Sequence, residues 1–279
     1  MRFERELETA CTLAREAGRL VLEVYAHPED TTEYKGYDDP VTAADHRANR
    51  FIVPELQRRF PQDGILSEES PDVLRAADAR RVWVVDPLDG TKEFLDRNGQ
   101  FVVQIGLVVE GRPLVGAIYQ PTEDRLYYGV VGEGAWLQAG TERQPLRTRA
   151  EADPAQMVAV LSRSHRSGLA DEMAAALGVR EVVRIGSAGL KAGAIADARA
   201  DVYLHPSRHT KLWDSAAPEA VLVAAGGAVT DFLGRPLDYT GREVRNLQGL
   251  LASNGASHDA IVAVLRPMWG ADAEVRPQG

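Results

Sequence analysis

The sequence predicts a mixed α/β protein in two parts, an N-terminal α+β part of residues 1–148 and a C-terminal α/β part of residues 149–279. Three observations carry that expectation. Helical periodicity dominates up to Phe60, short apolar runs split by turn signals follow, and strand-like and helix-like pieces alternate beyond Met157. The chain has 279 residues, enough for about two domains. At that length about three-quarters of the unfolded surface is buried on folding, so neither a disulfide nor a structural metal is needed for stability.

Each element follows from its own pattern. Leu7, Ala10, Cys11, Ala14, Ala17, Leu20, Val21 and Val24 recur at three- and four-residue steps, the signature of an amphipathic helix ended by His27-Pro28. The polar, turn-rich stretch up to Pro40 reads as a mobile loop. A second helix spans about Thr42 to Phe60, with Pro54 expected to kink it or end it early. Gly64–Ser67 and Val82–Val85 read as strands, the latter apolar enough to be buried on both faces. Phe101–Val109, Leu114–Gln120, Arg125–Val131 and Ala135–Gln138, separated by Gly- and Pro-containing turns, form an antiparallel meander. Gln144–Gln156 is polar and marks the boundary. Beyond it come strands at Met157–Leu161, Val179–Ile185, Val202–Leu204 and Leu250–Ala252. They alternate with helices at Gly168–Leu177, Leu190–Arg199, Ser215–Ala225 and Ser257–Leu265, Ser257 serving as the last N-cap.

Composition removes several function classes. With 32 basic and 41 acidic residues the net charge is −9, unsuited to a nucleic-acid polymer bound through its backbone. A single cysteine, Cys11, excludes an intramolecular disulfide and any multi-cysteine metal site. No run of about 18 apolar residues spans a membrane, and the charged N-terminus lacks the apolar core of a secretory signal. The chain is therefore read as soluble and cytoplasmic.

Four acids stand where acids are costly. Glu68 closes the apolar run Ile65-Leu66-Ser67, Asp86 ends Val82–Val85, Asp89 follows it in Asp86-Pro87-Leu88-Asp89-Gly90-Thr91, and Asp214 follows Leu212-Trp213. Singly, each has an ordinary reading: Asp89-Gly90 is a hairpin signal, and Asp214 is a plausible helix cap. Two carboxylates spaced across Pro87, with Gly90 allowing close backbone approach, are more specific. If Thr91 opens a helix, its free N–H groups form an anion site beside the acids. Acids next to a phosphate cradle require cations between them, and carboxylate oxygen suits magnesium.

The segment Asp86 to Thr91, the triplet Glu68-Glu69-Ser70 upstream and Trp213-Asp214 downstream resemble the inositol monophosphatase superfamily of magnesium-dependent, lithium-sensitive phosphomonoesterases. Within it, Lys92-Glu93-Phe94, Ser162-Arg163-Ser164-His165 and the run Trp213 to Ala220 are similar to the 3'(2'),5'-bisphosphate nucleotidases, enzymes of sulfur metabolism. The resemblance implies a layered α-β-α-β-α sandwich of the inositol monophosphatase and fructose-1,6-bisphosphatase type, two or three Mg²⁺ per site, and a homodimer. It makes Glu68, Asp86, Asp89, Asp214 and the Leu88 carbonyl metal ligands. Asp45 and Thr91 orient and deprotonate the attacking water, and Gly90 and Thr91 receive phosphate. Glu69 matches no ligand and is read as structural, because strand alternation turns it away from Glu68.

Charge agrees with that implication. Two like charges 4 Å apart repel by about 4 kcal/mol at an effective dielectric of 20, so clustered Glu68, Asp86, Asp89, Asp214 and Asp45 accept a phosphate dianion only with cations present. For the substrate, the resemblance matches His165 and Lys191 to positions near the nucleotide and its 5'-phosphate. Ser164 belongs to the same segment as His165, and Arg208 opens the basic run Arg208-His209-Thr210-Lys211. The chain departs from its relatives at Ala188, where they often carry Ser (Ser187 stands one place away), and at His205, where some carry Arg. The reading is hydrolysis of the 3'-phosphate of adenosine 3',5'-bisphosphate to AMP. Its alternatives are an inositol or sugar phosphatase using the same metals, and a catalytically silent binding protein. A Ser164-His165 hydrolase pair, a dinucleotide fingerprint, a Walker loop and a zinc site all lack the necessary spacing.

Overall fold

In a computed structural model, residues 2–27, 32–36, 39–71 and 78–275 are described. Helix α1 (Glu4–Tyr25) buries Leu7, Ala10, Leu13, Ala14, Ala17, Val21 and Val24 on one face, as its spacing dictates. Burial pushes the Cys11 thiol up to about 12, which leaves it inert. The stretch read as a loop contains a two-stranded antiparallel ladder, β1 (Thr32–Gly36) with β2 (Asp39–Thr42); residues 28–31 and 37–38 lie outside the described ones. Helix α2 (Ala43–Arg59) starts at the Thr42 N-cap and continues past Pro54. Pro54 does not end the helix because it and Arg50, whose carbonyl loses its bond, both lie on the exposed side.

The first large sheet comprises β3 (Gly64–Ser67), β4 (Ser70–Pro71), β5 (Arg81–Asp89), β6 (Val102–Val109), β7 (Arg112–Gln120), β8 (Arg125–Val130), β9 (Gly134–Ala139) and β10 (Glu142–Leu146). Their spatial order is β10-β9-β8-β7-β6-β5-β3-β4. β3 and β5 run parallel and the meander from β5 to β10 is antiparallel. β10 was hidden in the sequence because its side chains are those of a charged, exposed edge. A short helix, α3 (Thr91–Leu95), joins β5 to β6.

The second half alternates β11 (Val158–Ser162), α4 (Gly168–Leu177), β12 (Glu181–Ile185), α5 (Ala188–Ala196), β13 (Val202–His205) and α6 (Leu212–Ala224). It ends with β14 (Ala228–Thr230), β15 (Leu250–Ser253) and α7 (His258–Val275). The five strands order as β12-β11-β13-β15-β14, with β11 parallel to both neighbours and β15 antiparallel to both of its own.

Strand alternation sorts these pieces into five layers. Trp83, Val85, Val103 and Ile105 face α1 and α2, while Val82, Val84, Val102 and Ile118 face α5 and α6. Val158, Val160 and Tyr203 cover the other side of α5 and α6. Met157, Ala159, Leu161 and Val202 face outward to α4 and α7. The architecture is thus α-β-α-β-α, with every residue of α5 buried in the middle layer. Gly106 and Gly116 admit α6 closely: a Cβ there would lie 2.9 Å and 2.5 Å from the Ala217 backbone.

Candidate active site

The acids meet where β5 ends under α5 and α6. Asp86 is buried and accepts the Leu88 N–H at 3.0 Å, which folds Pro87-Leu88 back over it. The ladder with β6 is interrupted between Asp86 and Asp89, and such an irregularity re-aims the side chain that follows it. Gly90 then takes φ 100° as the N-cap of α3. A Cβ there would be strained and 3.1 Å from the Gln100 carbonyl. The Asp89-Gly90 pair therefore turns a strand into a helix rather than making a hairpin.

Asp89 is held by the second half of the chain: the Ser187 hydroxyl donates to its Oδ2 at 2.5 Å and the Gly189 N–H at 2.8 Å. Asp214, in the first turn of α6, accepts the Lys211 N–H at 2.6 Å. One oxygen from each of Asp86, Asp89 and Asp214 lies within 4.8 Å of the others. Burial first, then Glu68, Asp89, Asp214 and Asp45, push Asp86 well above the carboxylate range. Burial, then Asp89 and Glu68, push Asp214 up to about 8, against the opposing Lys211 N–H. Buried hard oxygens that repel one another fit a divalent cation.

Asp45 stands beside this group at the start of α2. Thr42 donates to its Oδ2 twice, from N–H at 2.7 Å and from the hydroxyl at 2.6 Å. Burial raises Asp45 to about 7, opposed by those bonds and helped by Glu69 and Glu68. The Thr91 hydroxyl lies 3.5 Å from Asp45 Oδ1 and 3.3 Å from the Leu88 carbonyl. Glu68 and Glu69 occupy a turn after β3 rather than the strand itself, so strand alternation does not separate them. Glu69 lies 3.6 Å from His46 Nδ1 and is felt at Asp45 before Glu68.

Lys191, His165 and His209 of the second half lie near enough to His205 to act on its charge. Lys191 is buried in α5, its Nζ 3.4 Å from the Ile185 carbonyl and 5.0 Å from the Tyr203 ring centre. Burial lowers its pKa, while Asp89, Glu93 and Asp214 oppose that. Burial, then Lys191, His165 and His209, hold His205 down to about 3, so it is a neutral neighbour of the Tyr203 hydroxyl at 3.1 Å. Ser164 donates to Glu93, His165 N–H donates to Ser162 Oγ at 3.1 Å, and the Arg208 guanidinium lies 5.8 Å from the Trp269 ring centre.

Three residues here escaped sequence reasoning as site residues. Glu93 is buried and ties α3 to the Ser164 loop; its signal was an acid beside Phe94 in a short helix. Ser187 carries φ 52°, a strained value for a residue with a Cβ, and holds Asp89. Gln104 is a lone polar residue in the apolar strand β6.

Residues 3–269 match the sequence profile described as the Inositol monophosphatase family. The chain belongs to that family. Proteins named 3'(2'),5'-bisphosphate nucleotidase CysQ from Salmonella typhimurium and Escherichia coli K12 are 40% and 39% identical to it over 240 residues, 85% of this chain and 95% of theirs. Among solved structures, an IMPase of Thermotoga maritima superposes with TM-score 0.81 at 26% identity, covering 96% of this chain and 99% of that one. CysQ from Bacteroides thetaiotaomicron superposes with TM-score 0.77 at 30% identity, covering 91% and 98%. The inositol monophosphatase family is metal-dependent, and Asp86, Asp89 and Asp214 form an acidic cluster that could hold such an ion.

Proposed function

We propose that this chain is a magnesium-dependent phosphomonoesterase that removes the 3'-phosphate of adenosine 3',5'-bisphosphate, giving AMP and phosphate. The observation that carries this is the convergence of Asp86, Asp89 and Asp214 from both halves of a chain 40% identical to proteins named as that nucleotidase. With it go a homodimer, expected from the family, a cytoplasmic location, read from the sequence, and two domains, 1–148 and 149–279, with the site between them.

In this reading Glu68, Asp86, Asp89, Asp214 and the Leu88 carbonyl hold two or three Mg²⁺. The bound metal supplies Lewis acidity, easing deprotonation of water and neutralising phosphate charge. The rest falls to side chains of the protein. Asp45, held by Thr42 beside the acids, is placed to take a proton from water. Thr42 fixes one carboxylate oxygen and leaves the other, Oδ1, facing Thr91. The Thr91 hydroxyl, with the Leu88 carbonyl as acceptor, keeps a lone pair free to orient that water in line with phosphorus. Gly90 and Thr91 N–H groups take phosphate oxygens. Ser164, His165, Lys191 and Arg208 are assigned to the remainder of the substrate.

The test is phosphate release at saturating Mg²⁺ from adenosine 3',5'-bisphosphate, inositol 1-phosphate and fructose 1,6-bisphosphate, with solvent ¹⁸O as tracer. A nucleotide kcat/KM at least about tenfold above the others, worth about 1.4 kcal/mol, is expected, with ¹⁸O in the released phosphate. Preference for inositol 1-phosphate, the reading favoured by structural kinship to inositol monophosphatases, would keep the metal site and discard the nucleotide.

A further inference from the structure

Gln104 interrupts β6, Val-Val-Gln-Ile-Gly-Leu-Val-Val. It is fully buried, and among the described residues neither its Nε2 nor its Oε1 has a hydrogen-bond partner. A carboxamide brings two donors and an acceptor into the interior, and stranding them is more costly than any packing they provide. A strand selected only to fold would carry Val or Leu there. Its location supplies a reason for the amide.

Gln104 is paired directly across the ladder with Asp86. Paired residues leave the sheet on the same face, with Cβ atoms about 4.5–5.5 Å apart. On its other side, Gln104 Oε1 lies 3.2 Å from where a Cβ on Gly189 would sit, and the Gly189 N–H is the group that holds Asp89. The free amide therefore occupies the joint between the strand presenting Asp86 and the helix turn fixing Asp89.

We propose that Gln104 is a positioning residue for the metal centre: its carboxamide, acting directly or across one water, fixes the orientation in which Asp86 ligates a cation. This rests on the reading of Asp86 as a ligand. It accounts for a buried carboxamide placed behind Asp86 in an otherwise apolar strand.

The decisive experiment titrates Mg²⁺ into the chelator-treated full chain by calorimetry, comparing the unaltered protein with Gln104→Met, Gln104→Leu and Asp86→Asn, alongside thermal unfolding without metal. The Gln104 variants should weaken Mg²⁺ affinity about tenfold while remaining folded, which the unfolding scans check. Metal affinity, read well below each midpoint, decides. If both Gln104 variants bind Mg²⁺ within twofold of the unaltered protein while Asp86→Asn loses binding, Gln104 is only a packing residue. If Asp86→Asn also binds normally, the ligand reading falls and this inference with it.

Discussion

Asp86, Asp89 and Asp214 each rest an oxygen on a backbone N–H, from Leu88, Gly189 and Lys211. Ser164, His165, Lys191 and Arg208 are placed otherwise, two on the loop after β11, one inside α5 and one against Trp269. In the proposed reading, the metal end uses short side chains fixed by the ends of strands and helices. The proposed substrate end includes two long side chains, Lys191 and Arg208, that lose more rotamer freedom when they engage a ligand. On that reading, chemistry is set by the backbone, and substrate choice by side chains that can change without disturbing it. Variants at the metal end should depress kcat for every substrate; variants at the other end should change KM for one.

The largest expected effect is at Asp89. Asp89→Asn removes a charge held by both halves of the chain and should cost about 10³-fold in kcat, the scale of several kcal/mol of lost transition-state charge stabilisation. The loss should be equal for nucleotide and inositol substrates. A loss confined to one of them would break the comparison.

Next comes pH without metal. Asp45 at about 7, Asp214 at about 8 and Asp86 well above its usual range bind protons more tightly folded than unfolded. Their contribution to stability is complete below about pH 4 and is lost as pH rises toward 8. The chelated protein should melt several degrees lower at pH 8 than at pH 5, and Mg²⁺ should restore most of that at pH 8. Calorimetric scans at the two pH values check both. A metal-free midpoint that rises over this interval would mean that the acids are not crowded.

These two effects concern residues that the sequence made legible. Asp86, Asp89 and Asp214 sit at or just beyond the ends of apolar runs, and the unbroken apolar run Val82–Val85 already implied a buried strand with Asp86 at its end. The five layers were legible from the resemblance, and most of the strand-helix order from periodicity, the β1-β2 ladder having read as a loop. What stayed hidden depends on contacts between distant segments. Ser187 and Asp89 are joined only when α5 packs over β5, and Glu93 meets Ser164 across the two halves. Gln104 looks like a flaw in a strand until its ladder partner is known. β10 carries edge chemistry, which resembles a loop in one dimension.

Ser187 sharpens the comparison from the metal side. Ser187→Ala and Ser187→Gly both remove the hydroxyl from Asp89 and should each lower kcat about tenfold on all substrates, the range for a group that orients a metal-binding acid. They should differ in stability. Glycine tolerates φ 52°, so Ser187→Gly should be the more stable by about 1 kcal/mol, measured by urea unfolding. Lys191→Ala tests the opposite end: KM for adenosine 3',5'-bisphosphate should rise about tenfold, the scale of one charge-assisted contact, with little change for AMP-sized monophosphates. An equal rise for both would remove Lys191 from substrate choice.

The smallest effect is predicted at Arg208. Its guanidinium already lies over the buried Trp269, on the α7 side that also packs Phe232, and that half-buried cation–π contact contributes about 1 kcal/mol. To reach a phosphate it must leave the ring, so the gain in binding is offset by the contact it abandons. Arg208→Ala should therefore change kcat/KM for the bisphosphate by only about twofold, and Trp269→Leu, which frees the guanidinium, should strengthen binding if Arg208 serves the substrate at all. Steady-state kinetics on the two single variants and the double variant separate these contributions. A tenfold loss in Arg208→Ala would move this residue from the packing of α7 to the substrate end of the site.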